Sequence, residues 1–138
     1  MDEKDFKIIE ILLENARTSK VRIAEALGVT ETAVRKRIQK LENSKVIIGY
    51  RAVINYKVAN LLCSLTGVDV EPERLWRVAE EVKNWKEVKA MWLTTGDHTL
   101  MLEIVVRDVE ELSNVHKRIE KIEGVRRVCP SIVLDVLK

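Results

Sequence analysis

Histidine, cysteine and aromatic residues are scarce in this chain of 138 residues. It has two histidines, two cysteines, three Trp, two Tyr and one Phe. Cys63 and Cys129 are 66 positions apart with no CxxC spacing, and both fall in strand-like runs, so buried thiols are expected and no disulfide. With only His98 and His116 available, a His/Cys metal site is not expected, nor is any cofactor. Base recognition by a sheet studded with aromatics is excluded by their rarity. No apolar run approaches the length of a membrane span. The opening Met-Asp-Glu-Lys-Asp is charged, unlike a secretory leader, so the cytoplasm is the expected compartment. There is no Walker loop, Rossmann glycine pattern, nucleophile elbow or HExxH. The acids Glu80, Glu81, Glu110 and Glu111 read as solvated helix faces rather than catalytic pairs.

What the chain does have is charge, unevenly spread. A third of its residues are charged, yet the net charge is only +2. From Arg17 to Lys57 there are ten basic residues against three acidic ones, a net +7, so the remainder carries −5. A basic module joined to a mildly acidic one fits a part that meets nucleic acid and a part with another task.

The basic module centres on Thr30 to Asn43. On a helical wheel Val34, Ile38 and Leu41 make a narrow apolar stripe. Thr32, Arg35, Lys36 and Gln39 fall on the opposite face, with Lys40 at its edge. Cations, a hydroxyl and an amide are the groups that bond phosphates and base edges, although a solvated helix can carry such a face too. Thr30 can cap the helix N-terminus. Upstream, Asp2 to Asn15 reads as a first helix with Phe6, Ile9, Leu13 and Ala16 at helical spacing, widened by Ile8, Ile11 and Leu12. Ser19 or Thr18 can cap a second helix over Lys20 to Leu27, and Gly28 can end it in the left-handed conformation. Helix, short glycine turn and helix make a helix-turn-helix, in which Ala24 and Ala33 permit close approach and Val29 plugs the corner. Arg35, Lys36 and Gln39 would enter the major groove with Thr32 at its start. Arg37 and Lys40 would hold phosphates, as would Ser19 and Arg22. Beyond Asn43 the β-branched run Val46-Ile47-Ile48, Gly49 and the alternation from Tyr50 to Asn55 predict two short strands, a wing, followed by a connector over 56–60.

The remainder reads strand, helix, strand, strand, helix, strand. The strands are 61–70, 88–95, 99–106 and 125–137. The buried helix faces are Leu75, Val78, Ala79, Val82 and Leu112, Val115, Ile119, Ile122. This βαββαβ order predicts a ferredoxin-like α+β sandwich, with both helices on one face of an antiparallel sheet. Several strands nevertheless alternate apolar residues onto both faces, such as Met101 and Val105 between Leu100, Leu102 and Ile104. A second bare apolar face predicts packing against another subunit, most simply across a two-fold axis, which would pair two helix-turn-helix units on a palindromic site. The turn Thr94-Thr95-Gly96-Asp97-His98-Thr99 gathers hydroxyls, a carboxylate and an imidazole at the sheet's mouth. It is either a plain polar hairpin turn or a seat for a small zwitterion, with Asp97 toward the ammonium group.

In this order the elements resemble the Lrp/AsnC (feast/famine) family of transcription regulators. The carriers are Asp5-x-x-Ile8 with Ile11-Leu12, Ile23-Ala24-x-x-Leu27-Gly28-Val29-Thr30 and Val34-x-x-Arg37-Ile38-x-x-Leu41-Glu42. Further on come Ile47-Ile48-Gly49-Tyr50, Thr95-Gly96-Asp97-His98 and Ile122-x-Gly124-Val125-x-x-Val128. The resemblance implies a winged helix-turn-helix over 1–50, a connection over 51–60 and a ligand-sensing, oligomerising RAM domain over 61–138. It implies dimers that often assemble into octamers, with an amino-acid effector bound between subunits by Thr95, Gly96, Asp97, His98, Thr99 and Ser131. Two departures stand out. Ser44-Lys45 replaces the family's usual Gly after the recognition helix, which then needs a strained or differently ended terminus. Thr99 replaces a frequent second acid in the sensing loop, which alters the ligand that fits. The expected function is a sequence-specific, effector-modulated regulator that is not an enzyme. The alternatives are an effector-independent architectural DNA binder or, less in keeping with the basic face, an enzyme like the siroheme decarboxylases, which resemble the same two-part architecture.

Overall fold

A computed structural model describes all residues, 1–138. The chain divides into two compact units, Met1–Val53 and Ile54–Lys138.

The first unit packs three helices, α1 (Glu3–Glu14), α2 (Lys20–Leu27) and α3 (Glu31–Asn43). Its core is Ile8, Ile23, Ala24, Val34, Ile38 and Leu41, with Ile9, Ile11, Leu12, Leu27, Val29 and Ile47 against it. The α3 stripe read from the sequence is thus the buried one. For α1 the choice of stripe shifts: Ile8 is buried, whereas Phe6 is 52% and Leu13 80% exposed. Two apolar stripes compete on this helix, and the one that meets Ile23 and Val34 wins. Each helix starts on a side-chain cap. The α1 cap is a reciprocal box between Asp2 and Asp5, and Ser19 and Thr30 cap α2 and α3. Gly28 ends α2 at φ 66°.

The end of α3 resolves the Ser44-Lys45 departure. Lys45 adopts φ 61°, the left-handed conformation usually left to glycine. Its N–H donates to the Glu42 carbonyl and the Val46 N–H donates to that of Leu41, a Schellman ending. The wing expected after it is absent: residues 46–55 form no strand in this chain. Ile48 and Val53 are exposed, so the β-branched run lacks a partner within the chain against which to form a ladder. A one-turn helix, α4 (Tyr56–Ala59), falls within the expected connector.

The second unit holds β1 (Leu62–Val70), α5 (Leu75–Val82) entered through a 3₁₀ turn at Pro72, β2 (Val88–Leu93), β3 (Leu100–Val106), α6 (Val109–Glu120) and β4 (Val125–Ile132). The sheet is antiparallel with order β2-β3-β1-β4. Val68, Val70, Leu100, Leu102, Ile104 and Val106 point to the helices and pack on Val78, Val82, Leu112, Val115 and Ile119. Among them Ser64 and Thr66 are buried but satisfied, Thr66 Oγ1 bonding Ser64 Oγ at 2.7 Å and His116 Nε2 at 3.0 Å. The last strand stops at Ile132 rather than reaching Leu137, which is exposed. On the helix-free face the register aligns Trp92, Met101, Gly67 and Cys129 in one row across all four strands. Trp92 is 50% and Leu65 43% exposed there, so the apolar face foreseen from the alternation is bare in the single chain. Glu103 is buried on that face and accepts a 2.5 Å hydrogen bond from the Tyr56 hydroxyl, which holds the phenol proton well above its usual range.

Candidate nucleic-acid interface and ligand cleft

The helix-turn-helix owes its geometry to local bonds. Ser19 Oγ accepts from the Arg22 N–H at 3.2 Å, and Thr30 Oγ1 accepts from the Ala33 N–H at 3.1 Å. Both hydroxyls therefore serve as caps, and the phosphate-binding capacity at those positions rests with free N–H groups and with Arg22, which is exposed. The Val29 N–H closes the corner on the Ala24 carbonyl. With Val34, Ile38 and Leu41 buried, Thr32, Arg35, Lys36, Gln39 and Lys40 are all exposed on α3. Arg35 Nη2 pairs with Glu31 Oε1 at 2.6 Å, one turn back and in solvent. Such pairs are weak, so Arg35 stays available to a stronger acceptor.

Arg37 departs from its expected role. Its Nη1 donates to Asp2 at 2.8 Å and to Asp5 Oδ1 at 3.0 Å, fastening the start of α1 to α3. The guanidinium is the largest cause holding the Asp2 carboxyl down at about 2. Arg37 in turn becomes a still weaker acid. A cation already satisfied by two carboxylates is a structural fastener rather than a phosphate contact.

The second site is the turn between β2 and β3. Thr94 Oγ1 donates to the His98 carbonyl at 3.1 Å, and the Thr94 N–H donates to the Thr99 carbonyl at 3.1 Å. The Thr99 N–H reaches the Val68 carbonyl, and Thr99 Oγ1 accepts from the Val70 N–H at 3.3 Å. Gly96 takes φ 96° at the tip. His98 Nδ1 donates to Asp69 Oδ1 at 2.8 Å, while Arg127 Nε donates to Asp69 Oδ2 at 2.8 Å. His98 first, then Arg127, holds the Asp69 carboxyl below its usual range. Together these groups line an open cleft of about 600 Å³, with Thr94, Gly96, Asp97, Thr99 and Arg126 on its wall.

Of the six residues expected at the sensing loop, Gly96, Asp97, His98 and Thr99 meet in this cleft. Thr95 is exposed and not on its wall. Ser131 lies opposite Leu65, four residues beyond Arg127 and so about 13 Å along the strand. Sequence reasoning missed Asp69, Arg126 and Arg127, which reach the loop only through strand pairing. The one signal was Asp69, the only charged residue of β1. Cys129 was also missed: one donor atom from each of Asp69, His98 and Cys129 lies within 4.8 Å of the others.

A capped helix-turn-helix with a basic outer helix, carried by a ferredoxin-like domain with a polar cleft, defines a two-part regulator: one part to meet DNA, one to meet a ligand. Residues 1–42 match the AsnC-type helix-turn-helix domain and residues 63–138 the Lrp/AsnC ligand binding domain. The chain belongs to the Lrp/AsnC family and is a transcription regulator rather than an enzyme. It is 46% identical to the HTH-type transcriptional regulator LrpA of Pyrococcus horikoshii, with 100% of this chain and 99% of the relative covered. The transcriptional regulator NMB0573 of Neisseria meningitidis, solved in complex with L-Met, superposes with a TM-score of 0.73 at 25% identity, covering 100% of this chain and 92% of that one. E. coli AsnC superposes with a TM-score of 0.68 at 23% identity, covering 100% and 95%. No helix is long and apolar enough to cross a membrane.

Proposed function

We propose that the protein is a cytoplasmic, sequence-specific regulator that reads a palindromic operator as a homodimer, assembling further to an octamer. A small amino-acid-like effector modulates its assembly or affinity. The observation that carries the reading is the exposed row of Thr32, Arg35, Lys36 and Gln39 on the second helix of a capped helix-turn-helix. In the major groove such a row offers a bidentate donor, an amide and a hydroxyl to base edges. Lys40 and Arg22 take flanking phosphates. The bare face around Leu65 and Trp92 packs on its counterpart in a second chain, which places two reading helices on two half-sites. In the cleft, Arg126 and the loop N–H groups suit an effector carboxylate and Asp97 suits its ammonium group. The relative solved with L-Met supports an amino acid as the ligand class.

The test is retention of genomic fragments at moderate salt, with and without a mixture of the twenty amino acids. Selective retention of a few palindromic fragments that shifts with the mixture is expected. Uniform, steeply salt-dependent binding that ignores the mixture would instead make the protein an architectural DNA binder.

A further inference from the structure

Asp69 and His98 of the cleft wall meet Cys129 in a grouping of donors that neither DNA reading nor capture of a zwitterion requires. Asp69 is the last residue but one of β1, Cys129 lies on the adjacent β4, and His98 comes from the β2–β3 turn. Carboxylate, thiol and imidazole come together with one donor atom from each within 4.8 Å of the other two. All three are partly exposed in the single chain, on the sheet face proposed above to meet a second copy.

Two features show that the grouping is built. The His98 ring lies against Gly67 in the middle of β1: a Cβ there would stand 2.4 Å from ring carbons Cγ and Cδ2. A glycine weakens a strand interior, and here it supplies the space that brings the imidazole onto the sheet beside Asp69. Cys129 is the strand neighbour of that glycine, since Gly67 and Cys129 are paired in register. Arg127 then fixes the carboxylate from the far side through Oδ2, leaving Oδ1 directed at the imidazole. A hydrogen-bonded outer partner of this kind is what orients a metal-ligating carboxylate.

We propose that Asp69, His98 and Cys129 form a three-ligand site for a borderline-soft divalent cation of the zinc class. The fourth position is left to water or to a molecule in the cleft. Imidazole and thiolate select zinc-class cations over magnesium or calcium, which take oxygen donors. With bonds of about 2.0–2.3 Å to nitrogen, oxygen and sulfur, tetrahedral ligands stand about 3.5 Å apart. His98 Nδ1 and Asp69 Oδ1, 2.8 Å apart, therefore open by about 0.7 Å, and the donors that stand up to 4.8 Å apart close by about 1.3 Å at most, both within the reach of side-chain rotation. Binding releases the thiol proton of Cys129, while the imidazole proton passes from Nδ1, where it bridges to Asp69, to Nε2, so that His98 ligates as a neutral ring. Two anionic donors neutralise the cation, so the Arg127 charge is tolerated while it bonds Oδ2.

The test uses the full-length protein stripped with a chelator, without DNA or amino acids, so failure here is separate from failure of the regulator reading. Cobalt(II) is titrated first and then displaced by zinc. A thiolate-to-cobalt charge-transfer band saturating at one cobalt per chain is expected. The band should persist in Cys63→Ser and vanish in Cys129→Ser. His98→Gln and Asp69→Asn should weaken zinc binding at least about tenfold. No band in the wild-type protein, a band that survives Cys129→Ser, or zinc affinity unchanged in His98→Gln would each overturn the site.

Discussion

The imidazole of His98 occupies the space that a side chain at Gly67 would need, 31 residues away in sequence and on the central strand β1. Gly67→Ala must therefore expel the ring from its bond to Asp69. Because His98 sits on a turn at the surface, the ring can swing out, and the stability cost should stay near about 1 kcal/mol. Imidazole NMR gives the readout. The wild-type ring is held as the Nδ1–H tautomer by Asp69 and should lose that preference in the variant. An unchanged tautomer would mean that the strand yields instead of the ring.

Arg37 fastens α1 to α3 through Asp2 and Asp5. Arg37→Gln should lower the melting temperature of the N-terminal unit and open α1 to proteolysis, with operator and random DNA affected alike. The pH dependence follows from Asp2, whose folded value of about 2 lies below its ordinary 3.8. A depressed carboxyl stabilises the fold above its unfolded value, and that contribution fades as pH falls through the folded one. Asp2→Asn should therefore melt below wild type at pH 5, and the gap should close as pH approaches 2. A gap that persists at that pH would assign the effect to the cap alone.

Lys45 carries the left-handed residue of a Schellman ending at φ 61°. A side chain in that conformation costs roughly 1–2 kcal/mol, part of which glycine returns as unfolded-chain entropy. Lys45→Gly should stabilise the protein by about 0.5–1 kcal/mol in urea unfolding. Lys45→Val, β-branched, should destabilise it.

On α3 the exposed residues separate into two roles. Arg35→Ala should reduce discrimination between operator and random DNA by about 1–3 kcal/mol. Lys40→Ala should weaken both equally and reduce the salt slope by about one. Equal losses on both DNAs for both variants would remove the distinction between base and phosphate contacts.

Leu65 sits exposed on the helix-free face beside the buried Glu103. Leu65→Asp adds a like charge at the centre of the proposed subunit contact while leaving the helix-facing core untouched. Sedimentation should show the assembly dissociating at micromolar concentration, with the monomer's secondary structure retained. An unchanged assembly would move the contact to another face.

The sequence alone determined whatever depends on residues a few positions apart. The α3 stripe, the Ser19 and Thr30 caps, the Gly28 ending and the βαββαβ order are local, set by periods of 3.6 and 2 and by turn chemistry. Where two local patterns competed, it gave no decision: the α1 stripe was chosen by the partners Ile23 and Val34, and the β-branched run 46–55 found no strand to pair with within the chain. The cleft belongs to tertiary structure almost entirely. Asp69 meets His98 and Arg127 across 29 and 58 residues, and Cys129 faces Gly67 across 62, because antiparallel pairing makes neighbours of residues that no window of sequence contains. Arg37 shows the same limit, since its position on the helix wheel allowed a phosphate contact until the fold brought Asp2 and Asp5 within 3.0 Å.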